Sequence, residues 1–97
     1  MDTVVKKVGA GSVDKLQRML GTFDENLNEI MDEFGVVARV DGLDVVIEGT
    51  KINAELAASV IESLLALAET SETVDRGRVN YCIELARDGR AGDITKL

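Results

Sequence analysis

Apolar residues recur with two different periods along this chain, and the changes of period mark its elements. Thr3-Val4-Val5-Lys6-Lys7-Val8 is rich in β-formers, and Gly9-Ala10-Gly11 closes it with a turn signal. Ser12 then caps a short helix in which Val13, Leu16 and Leu20 recur at i, i+3 and i+7, until Gly21 ends it. Thr22-Phe23-Asp24-Glu25 has capping-box spacing, a Thr followed three residues on by Glu, at the head of a second helix. Phe23, Leu27, Ile30, Met31 and Phe34 form its apolar stripe, Asp24, Glu25, Glu29, Asp32 and Glu33 face water, and Gly35 supplies the stop.

Between Val36 and Glu48 the period drops to two. Asp41-Gly42 is a two-residue hairpin signal. With those two as the loop, Val40 faces Leu43, Ala38 faces Val45 and Val36 faces Ile47, all on one side. On the other side Arg39 faces Asp44 as an opposite-charge pair. Gly49 then breaks the strand, and Thr50 or Asn53 caps a long helix. Leu56, Val60, Ile61, Leu64, Leu65, Leu67 and Ala68 give that helix a broad apolar face, and Ala54, Ala57, Ala58 and Ala66 raise its propensity. Thr70-Ser71-Glu72-Thr73 is a polar break. Asp75 caps a last helix carrying Val79, Cys82, Ile83 and Ala86, and Gly89 closes it. The order β-α-α-β-β-α-α predicts an α+β fold, a small three-stranded antiparallel sheet backed by helices.

Composition narrows the chemistry. Phe23, Phe34 and Tyr81 are the only aromatics, so the core is aliphatic and alanine-rich. The chain has no histidine, which removes the commonest general base and metal ligand together. No pair of groups suggests acid–base or nucleophilic work, so neither catalysis nor a metal is expected in this chain. Cys82 is the single cysteine and cannot form an internal disulfide, in keeping with a reducing, cytoplasmic setting. Its place on an apolar stripe reads as a packed core thiol. No apolar run approaches the roughly 20 residues that span a bilayer, and the N-terminus lacks the apolar stretch of a signal peptide. Eleven basic and eighteen acidic residues leave a net charge of −7, which weakens attraction to phosphate or anionic lipid. Gly9-Ala10-Gly11-Ser12-Val13-Asp14-Lys15 is glycine-rich but has neither the spacing nor the Gly-Lys pair of a phosphate-cradling loop.

The order β-α-α-β-β-α is that of the type I KH domain, with one helix added. In KH domains a Gly-x-x-Gly loop joins the first two helices and lies against the nucleic-acid backbone. Gly21-Thr22-Phe23-Asp24 occupies that position, with aspartate where the second glycine would be. The closer resemblance is to the N-terminal domain of the PhoH-like family, bacterial proteins named for phosphate starvation, in which a KH-like segment precedes a P-loop ATPase domain. The similar residues are Leu20-Gly21, Asp24-Glu25-Asn26-Leu27, Ile30, Phe34-Gly35-Val36, Gly42, Ile47 and Gly49. They continue with Ala57, Leu64, Leu65, Leu67, Ala68, Val74, Val79, Tyr81, Ile83, Leu85 and Ala86, so the likeness spans residues 13 to 89. The family usually has Arg-Gly at the hairpin turn, where this chain has Asp41-Gly42 and so lacks a positive charge.

The resemblance implies a KH-like domain over residues 1–89 and, over 90–97, a linker towards an ATPase domain. This chain would then be a non-catalytic accessory domain, and ATP and Mg would belong to the ATPase domain. The partners it implies are single-stranded RNA, the ATPase domain of the same protein and a second copy of the chain in a homo-oligomer, with no membrane. The nucleic-acid-binding residues it implies are Gly21, Thr22, Phe23 and Asn26, together with Arg39.

Charge keeps a second reading open at each of these places. Asp24 and Glu25 stand where a phosphate would approach a KH loop, and like charges about 4 Å apart repel by roughly 1 kcal/mol in water. The same residues also serve simply to start a helix, Thr22 and Glu25 as its cap and Asp24 at its positive end. The acidic surface favours a protein-interaction or oligomerisation module over an RNA clamp. Glu25, Glu29 and Asp32 lie within helical reach of one another but read as a solvated face, since one helix offers no closed oxygen cage. Lys6, Lys7, Arg39 and Lys51 either gather into a basic patch, or Lys6 and Lys7 guard an exposed edge strand.

Overall fold

The elements read from the sequence form in the computed structural model, which describes residues 3–70 and 74–89. In chain order they are β1 (Thr3–Gly9), α1 (Val13–Leu20), α2 (Glu25–Phe34), β2 (Val37–Asp41), β3 (Asp44–Thr50), α3 (Lys51–Glu69) and α4 (Arg76–Arg87). The polar break at residues 71–73 and the linker expected over 90–97 lie outside the described residues.

The strands make one sheet in the order β1-β3-β2, antiparallel throughout. Val45 and Ile47 of the central strand turn inward and are fully buried, joined by Val8 of β1. α3 packs on β1 and β3 and α2 reaches β2, while α1 and α4 pack in turn against α2 and α3, so the expected α+β architecture is present. The other face is open. There Val46 sits in register between Lys7 and Arg39 and is nonetheless buried; long aliphatic stems on either side of a central strand shield such a residue from water. β1 is an edge strand, and its two lysines divide between the faces. Lys6 pairs with Glu55 of α3 at 3.8 Å, while Lys7 points outward.

The hairpin differs from expectation in register. Its loop is Gly42-Leu43, and Asp41 opposes Asp44. Val40 therefore faces Val45, Ala38 faces Ile47, and Arg39 faces Val46 instead of Asp44. Gly42 alone of the loop pair has a positive φ, 65°, which is the II′ arrangement with glycine first. Relative to the expected pairing the strands slip by two residues, which keeps every side chain on its expected face. Arg39 finds its anion one step along, in Glu48 at 3.5 Å. Gly49, expected to break the strand, lies inside β3. A Cβ there would come within 2.8 Å of Val36 Cγ1, so the glycine admits the buried Val36.

The helices start where their caps are. Ser12, Thr50 and Asp75 each accept a hydrogen bond from the backbone N–H three residues on, at 3.2, 3.3 and 2.9 Å. In α1 the buried residues are Leu16 and Met19, whereas Val13, expected on the apolar stripe, is exposed. α3 is the hub. Its alanines Ala54, Ala57 and Ala58 are buried along with Val60, Ile61, Leu64 and Leu65, which brings α1, α2 and α4 close around it. Among the described residues no helix is long and apolar enough to cross a membrane.

Candidate binding site

α1 ends at Leu20 and α2 begins at Glu25, so four residues join the two helices. Gly21 adopts φ 76° and ψ −178°, a region open only to glycine. A Cβ at this position would also meet Asn26 Nδ2 at 2.8 Å. Phe23 (φ 53°, ψ 34°) and Asp24 (φ 58°, ψ 27°) are both left-handed. They form the central pair of a mirror-image turn, closed by the Glu25 N–H donating to the Thr22 carbonyl. Aspartate tolerates this backbone, but phenylalanine does so rarely.

The expected capping box is therefore absent. Neither Thr22 nor Asp24 makes a side-chain cap bond, and Phe23 leaves the apolar stripe. The left-handed backbone of Phe23 and Asp24 is the cause, since a capping box needs right-handed helical residues directly after its Thr. Phe23 projects into solvent with 94% of its surface exposed. Thr22, Asp24 and Glu25 around it are exposed too.

Asn26 takes the inward place. It is 1% exposed, and its Nδ2 donates to the carbonyl of Met19 at 2.9 Å and to that of Val74 at 3.2 Å. Two carbonyl acceptors require the amide nitrogen, which fixes the orientation of the side chain. Oδ1 is buried with no partner among the described residues. One side chain thus joins the end of α1, the start of α2 and the segment entering α4. The sequence held a signal for it, because Asn26, Ile30 and Phe34 recur at i, i+4 and i+8.

Of the five residues that the resemblance points to, the structure brings Gly21, Thr22 and Phe23 together in one turn. Asn26 lies beneath that turn, inside the protein. Arg39 stands apart on the open face of the sheet, opposite in register to Val46 and paired with Glu48. Lys6, Lys7, Arg39 and Lys51 do not gather at the turn either. Lys6 faces α3, Lys7 and Arg39 share the open face, and Lys51 begins α3.

Charge around the turn is unevenly satisfied. Arg18 at the end of α1 holds Asp14 at 3.1 Å and donates to the Ala68 carbonyl at 3.3 Å. Farther along α2, Glu29 is held by Arg76 at 3.0 Å and Glu33 by Arg87 at 2.9 Å. The Arg87 guanidinium also lies 5.0 Å from the centre of the Phe34 ring. These pairs tie α2 to α4, so the acidic face is partly a helix–helix seam. Asp24 and Glu25 have no ion-pair partner among the described residues. No group of three or more His, Cys, Asp or Glu among those residues is placed to hold a metal ion. Cys82 is buried in α4, where desolvation pushes its thiol up from 9.0 to about 11. A thiol so protonated is a poor nucleophile.

No family model matches the chain, nor does any curated protein or solved structure.

Proposed function

We propose that this chain is a non-catalytic, KH-like accessory domain of a larger PhoH-like ATP-binding protein, and that it acts by docking onto protein. The observation that carries the reading is the Gly21–Asp24 turn. It joins the two helices that separate β1 from the hairpin, in a β-α-α-β-β-α order, and offers a partner one bare aromatic ring followed by two carboxylates with no ion-pair partner among the described residues. The KH frame accounts for the position of the turn, and the charges account for the kind of partner. An ATPase domain, with its ATP and Mg, belongs to sequence following this domain. A gene whose sequence beyond Leu97 lacks a Gly-x-x-x-x-Gly-Lys-Ser/Thr motif removes the family part of the proposal.

A second reading, contact with single-stranded RNA, is favoured by Phe23 itself, since any base can stack on an exposed ring. Titration with a single-stranded RNA across salt concentrations separates the two. The docking reading expects no measurable binding at low salt. Binding that weakens steeply as salt is added gives the turn to RNA.

A further inference from the structure

The turn carries three features that the fold alone does not account for. The first is the ring. Phe23 lies four residues before the buried Leu27, a spacing at which a regular helix would have turned it inward, yet it is the most exposed large apolar residue described. It contributes neither to the core nor to a helix cap. The second is rigidity. Gly21 fills a backbone region only glycine enters, and Asn26 clamps the turn from below through Met19 and Val74. A turn whose backbone is held in place before binding loses little freedom when bound. The third is charge. Asp24 beside the ring and Glu25 next along are unpaired among the described residues, while the nearest cation on α1, Arg18, is committed to Asp14 and Ala68.

We infer that Phe23 is a docking anchor that enters an apolar pocket on a protein partner, with Lys or Arg side chains on the rim of that pocket opposite Asp24 and Glu25. The inference rests on reading the turn as the recognition element of the domain, and it does not depend on the ATPase. A single rigid aromatic in a pocket, surrounded by a polar rim, is the usual anatomy of a strong protein contact. Nucleic acid fits the ring but not its surroundings, because the phosphates flanking a stacked base would meet the Asp24 and Glu25 carboxylates, which have no ion-pair partner among the described residues. A second copy of the chain is the poorer fit at the two grooves formed by described residues. The groove beside Lys6 and Lys7 also carries Glu55 and Glu62, and the groove between α2 and α4 carries Glu29, Glu33 and Glu84. Either would set carboxylate against carboxylate.

The test uses the full chain in the cells that make it, with the photo-crosslinking residue p-benzoylphenylalanine in place of Phe23. After irradiation the joined peptide is identified, and its parent protein, or the rest of the same polypeptide, is titrated with the wild-type chain and two variants. The expected peptide comes from a protein and includes apolar residues with Lys or Arg beside them. Phe23→Ala weakens the measured Kd by at least about tenfold. The double change Asp24→Lys with Glu25→Lys weakens it too, by a margin that shrinks as salt is added. Thermal unfolding of both variants is run alongside, so that loss of binding is not mistaken for loss of fold. A crosslink to RNA, a crosslink to a second copy, no crosslink at all, or a Kd unmoved by both variants overturns the inference. None of these outcomes touches the family reading, which stands or falls on the sequence beyond Leu97.

Discussion

The Nδ2 of Asn26 lies 2.9 Å from the carbonyl oxygen of Met19, so the second residue of α2 closes off the last turn of α1. Helix ends leave backbone carbonyls without intrahelical partners, and a buried carbonyl without a partner is costly. Asn26 satisfies one such group and, 3.2 Å away on its other side, the carbonyl of Val74. Asn26→Ala should therefore cost about 1–3 kcal/mol. In a domain of this size that lowers the melting temperature by at least about 4–8 °C. Asn26→Asp should cost more, since it sets a carboxylate against two carbonyls in a buried site. Circular dichroism melts of both variants check this, and an unshifted melt for Asn26→Asp would exclude the clamp.

Phe23 makes the opposite prediction. A side chain exposed in a left-handed backbone contributes strain and little packing, roughly 1–2 kcal/mol against the fold. Phe23→Asn or Phe23→Gly should leave stability unchanged or raise it by up to about 1 kcal/mol. Urea unfolding measures the difference. A loss above about 0.5 kcal/mol in both variants, beyond what an exposed surface site shows, would mean that the ring packs against the fold.

The contrast between these two residues shows how far the sequence could be read. Caps, stops and the long α3 were legible because Ser12, Thr50, Asp75, Gly35 and Gly89 act locally, on backbone within three residues of themselves. The turn at Gly21–Asp24 was not. Thr22 and Glu25 have the spacing of a capping box, but the box needs right-handed helical residues straight after Thr22, and Phe23 and Asp24 are left-handed. Asn26 was hidden by its polarity, although it shares the i, i+4, i+8 row of Ile30 and Phe34. The hairpin loop failed for a different reason. Asp41-Gly42 and Gly42-Leu43 place every side chain on the same faces, so alternation could not choose between them. What decides is Gly42's neighbour in the loop: a I′ turn needs a positive φ at both central residues, and neither Asp41 nor Leu43 has one.

Gly49 offers a test of packing that depends on one distance. An added Cβ would approach Val36 Cγ1 to 2.8 Å, and Val36 is itself buried. Gly49→Ala should destabilise by about 1–3 kcal/mol, the usual cost of overpacking. Val36→Ala alone should also destabilise, by leaving a void. Together the two should cost less than the sum, because the smaller residue at 36 makes room for the methyl at 49. A double-mutant cycle reads this as a coupling of at least about 0.5 kcal/mol. Strict additivity would show that the two sites do not touch.

Burial of Cys82 makes stability fall at alkaline pH. Its side chain is fully buried, and desolvation moves the thiol from 9.0 to about 11. The folded chain thus holds this proton more tightly than the unfolded chain does. Below about pH 9 both states are protonated and Cys82 contributes no pH dependence. As pH rises from 9 towards 11 the unfolded chain ionises first and stability falls, by up to about 1.4 kcal/mol per pH unit and roughly 2–3 kcal/mol in all. Urea unfolding at about pH 8 and about pH 10.5 should show this loss. Cys82→Ala should lower stability at both values but remove this part of the slope. The same burial predicts that a thiol reagent labels the native chain only as fast as the protein opens, so labelling accelerates in urea. Rapid stoichiometric labelling of the folded chain near neutral pH would place Cys82 at the surface and remove both effects.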